Sequence, residues 1–215
     1  LVLPYYPDQK FVQKNIKKFN PKSIVLCCTG ALSEDKGTGN FFKTANLLQQ
    51  RNPECDVRIL LIGAARNDSD KAYFQQLLAD SIIKNIEVKP PTTFENFTES
   101  FAEADICFDL RMFNFENHHS LPIKLFYYMG AGKPVIYSAL KGIKKHLDVS
   151  EFGFLVDPEN TVQTVECIEK YLQNSELYDQ HAKSARKNFS EKYSWENIRG
   201  SFTSFIRNSL PKTQP

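Results

Sequence analysis

A chain of 215 residues, 41% hydrophobic and 24% charged, has the make-up of a soluble globular protein and the length of one large domain or two small ones. Its 27 Lys and Arg nearly balance 25 Asp and Glu, and a net charge of +2 argues against a dedicated nucleic-acid binder. No apolar run approaches the ~18 residues of a membrane span, and LVLPYYPDQ lacks the basic start and apolar core of a signal peptide.

Residues 1–21 read as a lead-in with an amphipathic middle at Phe11, Ile16 and Phe19. Strand-like and helix-like segments then alternate. SIVLCCT, 23–29, is a buried strand, and a polar loop over 30–39 leads to a helix over 40–51. VRILLI, 57–62, is a second strand closed by Gly63; 70–83 is a helix, 86–88 a short strand, 94–104 a helix and 106–110 a strand. A short helix over 143–147 precedes the strand GFLV, 153–156, and the remainder is helical over 161–173, 175–187 and 195–210. Ser194 is placed to cap the last helix, and Trp195 reads as a core anchor. Apolar strands alternating with helices of ten or more residues predict an α/β fold, a doubly wound parallel sheet covered on both faces.

LPIKLFYYMGAGKPVIYS, 121–138, carries the sharpest signal. Leu121, Leu125, Tyr128 and Met129 fall on one helical face, with Ser120, Lys124 and Tyr127 on another stripe. Gly132 suits a helix C-cap, Pro134 ends the helix, and VIY continues as a strand. Ser120 is expected to cap this helix of about three turns, so that its first amides and Lys124 make a seat for phosphate.

Pro122, Lys124, Tyr128, Met129, Gly132, Lys133, Pro134, Val135 and Ile136 resemble the donor-site segment of the group 1, GT4-like family of GT-B glycosyltransferases. GALSEDKG, GFLVDPEN and YSWENI are similar to further family elements in the same order, so the resemblance spans most of the chain from Ser23. It implies a Rossmann-like C-terminal, donor-binding domain over 23–215, with 1–22 a hinge segment from a missing N-terminal domain. The chain begins at Leu1 and not Met, in keeping with a truncated protein. The implied activity is retaining transfer of a sugar from a nucleotide-diphosphate sugar to a saccharide or lipid-linked acceptor, in surface polysaccharide synthesis. No cofactor, metal or transmembrane segment is implied. The implied location is cytoplasmic, with peripheral attachment at the inner face of the membrane as a variant.

In open α/β sheets ligands lie outside the carboxyl ends of the strands, so the loops after 29, 62 and 110 matter most. Gly30 and Gly37 let a ligand approach the backbone, and Lys36 brings a mobile charge. The resemblance implies that Gly30, Lys36, Gly37, Gly63, Ser120, Leu121, Pro122, Lys124 and Tyr127 bind the donor, with Lys36 and Lys124 stabilising the diphosphate. The family's arginine position is Ala31, and its two glutamates fall on His119, a candidate near the donor sugar, and Tyr127. A phenol accepts less well from a ribose diol than a carboxylate, and Glu116 and Asn117 are near enough in sequence to substitute. Adjacent His118 and His119 lack further ligands at metal-binding spacing. Asp68-Ser69-Asp70 matches a short metal-binding pattern but reads as helix capping. The five cysteines, without CxxC spacing, read as reduced structural thiols. Two other readings stay open: a non-catalytic, degenerate domain that binds a partner, and a nucleotide-sugar 2-epimerase.

Overall fold

Six parallel strands form one sheet: β1 Ser23–Ala31, β2 Asp56–Ala64, β3 Asn85–Lys89, β4 Ile106–Asp109, β5 Val135–Ser138 and β6 Gly153–Val156. Their order is β3-β2-β1-β4-β5-β6, so the chain winds one way from β1 to β3 and the other way from β4 to β6. The computed structural model describes residues 5–13 and 17–209. Ile16 of the expected amphipathic lead-in and residue 210 of the last helix lie outside them.

The helices are α1 Thr38–Arg51, α2 Asp68–Asp80, α3 Phe97–Ser100, α4 Phe115–His118, α5 Lys124–Ala131, α6 Lys141–His146, α7 Thr161–Gln173, α8 Ser175–Lys192 and α9 Trp195–Ser209. They cover both faces of the sheet. On one face Phe41, Leu48, Phe74, Ile168 and Tyr171 pack on Leu26, Ile59 and Phe108. On the other, Leu125, Tyr128, Met129 and Phe189 pack on Val25, Cys27 and Val135. α8 serves both cores, through Tyr178 and Ala182 on one side and Ala185 and Phe189 on the other. The doubly wound parallel sheet expected from the alternation is the fold observed.

Several local expectations change. The helix expected over 94–104 shrinks to α3, and the carbonyls of Ala102 and Ala104 beyond it accept from the buried Lys133 Nζ, each at 2.7 Å. The donor-segment helix has two turns, not three, and begins at Lys124. Ser120 does not cap it: its hydroxyl donates to Asn117 O at 2.9 Å and accepts from Arg111 Nη1 at 3.2 Å. Residues Leu125 to Ala131 are buried all round, so α5 is a core helix and not an amphipathic one. The short α4 lies inside the segment expected to be loop.

No residue of α9 is buried, and Trp195 is not a core anchor. Its amide donates to Pro7 O at 2.9 Å, and the Gln9 amide donates to the Glu196 carboxylate at 3.1 Å. The start of α9 thus clasps the segment around the short 3-10 turn Gln9–Phe11. The Ser194 hydroxyl is taken by the side chains of Gln9 and Asn197. All five cysteines are free and buried, and burial pushes the Cys28 thiol up to about 12.

Candidate functional site

The sheet order reverses between β1 and β4, which leaves a crevice beyond their carboxyl ends. A cleft of about 710 Å³ opens there. Lys36, Arg66, Arg111 and Lys124 contribute to its walls, as do Pro91, Phe94, Phe97 and Tyr127. Among the described residues no Asp or Glu lines it.

The floor is built on Asp109, the last residue of β4, whose side chain has no exposure to solvent. Arg111 grips this carboxylate with two bonds, Nε to Oδ1 at 2.9 Å and Nη2 to Oδ2 at 2.7 Å. Lys124, at the start of α5, reaches the same Oδ2 at 3.1 Å and donates to the Thr29 carbonyl at 2.6 Å. Burial works to raise the Asp109 pKa, but Lys124 and Arg111 together outweigh it and hold the carboxyl below its ordinary range. Two cations therefore face one carboxylate at the bottom of the cleft.

Lys36 comes from the loop after β1. Its ammonium lies 2.6 Å from Asp35 and 3.7 Å from Glu116, and donates to Asn117 Oδ1 at 3.2 Å. Asn117 is fully buried and ties this loop to the next, donating to Asp35 Oδ1 at 3.1 Å and Met112 O at 2.9 Å. It positions Lys36, while Glu116 points to solvent with its side chain 84% exposed, so neither takes the place of a cleft carboxylate. Gly37 begins α1 at φ 77°, where a Cβ would collide with the Leu110 carbonyl. That glycine lets the loop close against the end of β4. Gly30, at φ 112°, instead leaves the Lys124 ammonium uncovered.

Tyr127 is almost fully buried, stacked on Phe94 at 6.2 Å and edge-on to Phe97 at 5.2 Å. Burial, with smaller contributions from Tyr5 and Glu95, pushes its phenol up to about 12, so it is neutral at pH 7.

The structure thus brings Gly30, Lys36, Gly63, Pro122, Lys124 and Tyr127 to one cleft. Gly37, Ser120 and Leu121 stand behind it, and Ser120 touches the cleft only through Arg111. His119 does not line it: Nδ1 is 2.7 Å from the Phe115 carbonyl and the ring packs on Phe115. Asp68 and Asp70 lie in the first turn of α2, whose cap is Asn67, accepting from the Asp70 amide at 2.8 Å. No cluster of three or more metal-ligating side chains occurs among the described residues.

Asp109, Arg111 and Arg66 went unmarked in the sequence. All three sit at carboxyl ends of strands, the place already singled out, and Arg111 opens the very loop read as a candidate.

A doubly wound parallel sheet with a cation-rich cleft at its switch point defines a Rossmann-like α/β domain of the GT-B type. The model of the family described as glycosyl transferases group 1 matches residues 23–174, and the chain belongs to that family. A curated relative, the D-inositol 3-phosphate glycosyltransferase of Paenarthrobacter aurescens, is 21% identical over 81% of this chain and 40% of its own length. The chain thus spans about two fifths of that relative. The sucrose-phosphate synthase of Thermosynechococcus elongatus shares the fold with a TM-score of 0.74 and 17% identity, over 95% of this chain and 51% of the other. Anabaena HepE, solved in complex with UDP, does so with a TM-score of 0.72 and 15% identity, over 87% and 49%.

Proposed function

We propose that this chain is the donor-binding part of a glycosyltransferase that moves a sugar from a nucleotide-diphosphate sugar. One observation carries the reading: Lys36 and Lys124, from different elements, share a cleft with the mutually packed rings of Phe94, Phe97 and Tyr127. The cations suit a diphosphate and the rings suit the face of a nucleoside. Relatives bound to UDP support the same ligand class.

The chemistry asked of these residues is electrostatic. As the bond to the sugar breaks, charge builds on the diphosphate, and fixed ammonium groups in a water-poor cleft stabilise it. A micromolar donor needs about 8 kcal/mol. Charge-assisted hydrogen bonds supply about 1.5–3 kcal/mol each. Two lysines leave a remainder for the nucleoside and the backbone near Gly30.

Retention of configuration, a glycan or lipid-linked acceptor and a place in surface polysaccharide synthesis complete the proposal. Residues 1–22 would lead in from an N-terminal domain that carries the acceptor site, so this chain alone would bind donor without turnover. No helix among the described residues is long and apolar enough to cross a membrane.

Calorimetric titration with UDP- and GDP-sugars tests the reading. Micromolar binding of one of them is expected, weakened at least tenfold by Lys36→Ala and by Lys124→Ala. Absence of binding by the wild type, or binding by both variants equal to that of the wild type, overturns it. Donor binding by the full-length protein without transfer to any acceptor would favour the non-catalytic reading, which the lack of a cleft carboxylate motivates.

A further inference from the structure

We infer that Arg111 is a third diphosphate-binding cation of the cleft, supplied from the end of β4 opposite a β1 wall that offers only Ala31. The inference rests on the donor-site reading above.

The argument begins with charge. Asp109 is sealed from solvent and faces both Arg111 and Lys124, whose side chains are only 12% and 15% exposed. One carboxylate compensates one cation. A second cation in the same floor leaves one charge without a counter-ion, which the Thr29 carbonyl bonded to Lys124 does not supply, and costs free energy unless another anion arrives. Lys36 does not change the balance, since its own carboxylate partners Asp35 and Glu116 lie outside the cleft lining. The floor therefore carries an excess of positive charge directed at the space above it.

Donor counting leads the same way. A guanidinium has five N–H groups in a rigid plane. Three are used by protein, two on Asp109 and one on the Ser120 hydroxyl. Two remain without a partner among the described residues, on a side chain that lines the cleft. The bidentate seat on Asp109 fixes the plane, so these donors are preorganised for phosphate oxygens.

The opposite wall is made of small residues: Gly30 and Ala31 at the end of β1, and Gly63 and Ala64 at the end of β2. A cation at 31 is where the resemblance expects one, and the methyl of Ala31 cannot act as one. Arg111 restores the missing charge from a neighbouring strand of the same crevice.

Titrations with uridine, UMP and UDP separate phosphate contacts from nucleoside contacts. Arg111→Ala is expected to leave uridine binding within about twofold and to weaken UDP about tenfold or more, as loss of a charge-assisted bond does. Because Arg111→Ala strands Asp109 with a single partner, the double variant Asp109→Asn/Arg111→Met removes the ion pair as a unit and should show the same phosphate-selective loss. Ala31→Arg in the Arg111→Ala background should recover UDP affinity. UDP binding unchanged in both Arg111 variants overturns the inference, and so does an equal loss for uridine, UMP and UDP. Guanosine, GMP and GDP replace them if the chain selects that base; if the wild-type chain binds neither series, the donor-site reading itself fails, a result distinct from either.

Discussion

Two buried aspartates stand at opposite ends of β4, four residues apart, and their surroundings could hardly differ more. Asp105, just before the strand, accepts the Val25 amide at 2.8 Å and the Lys17 ammonium at 3.1 Å, while its other oxygen has no partner among the described residues. Lys17 is 38% exposed and half belongs to solvent. Asp109 receives two buried cations and offers them to a cleft. The same side chain thus fastens β1 to β4 at the amino end and organises charge at the carboxyl end. A buried carboxylate held by a backbone amide serves the fold; one that gathers more cations than it can neutralise points to a ligand.

Removing each carboxylate should separate these roles most strongly. Asp109→Ala leaves Arg111 and Lys124 side by side with no counter-ion, and a broken buried pair costs about 3–5 kcal/mol. Asp105→Ala frees a lysine that can turn to water and orphans one buried amide, at about 1–3 kcal/mol. Urea denaturation of both variants checks the order; an equal loss would break the comparison.

The lysines sharpen it. Lys124→Ala should weaken UDP binding at least tenfold, yet cost less stability than Asp109→Ala because Arg111 still covers the carboxylate. Lys17→Ala should leave UDP affinity unchanged, although it strands the buried Asp105 carboxylate with the Val25 amide and lowers stability by about 1–3 kcal/mol. Calorimetry and thermal melts on the two variants suffice, and a shared loss of affinity would show that both ends of the strand serve the ligand.

How far this contrast was legible in the sequence follows from what each feature depends on. The sheet was readable because SIVLCCT, VRILLI and VIYS are apolar runs between helix-length segments, and burial on both faces leaves that trace in one dimension. Lys36, Lys124 and Tyr127 were readable through their motif. Asp109 and Arg111 were not, because D-L-R at the end of a strand looks like any strand exit. Its meaning comes from Lys124, fifteen positions away in sequence, reaching the same oxygen. Ser120 misled for a similar reason: a hydroxyl before a helical stretch suits a cap, but Arg111 and the Asn117 carbonyl had a prior claim on it. Trp195 looked like core because it is large and apolar, whereas its helix clasps the lead-in instead.

Acidity gives the smallest effect, and it should run in opposite directions at the two sites. Burial is the largest influence on Asp105, and it outweighs the Val25 amide and Lys17, so the folded-state pKa is raised. A group that binds its proton more tightly when folded makes the protein more stable as pH falls from neutrality toward the ordinary carboxylate range. For Asp109 burial pushes up as well, but Lys124 and Arg111 win and the folded-state pKa is lowered. Its contribution is complete above the unfolded value of about 4 and is lost as pH falls through the depressed one. Neutral variants isolate the two slopes. The stability of wild type relative to Asp105→Asn should rise as pH falls from neutrality toward about 4, while its stability relative to Asp109→Asn should hold over that range and fall below it. Parallel slopes would mean that the two carboxylates share one electrostatic environment, and the assignment of structural and ligand-directed ends to β4 would have to be given up.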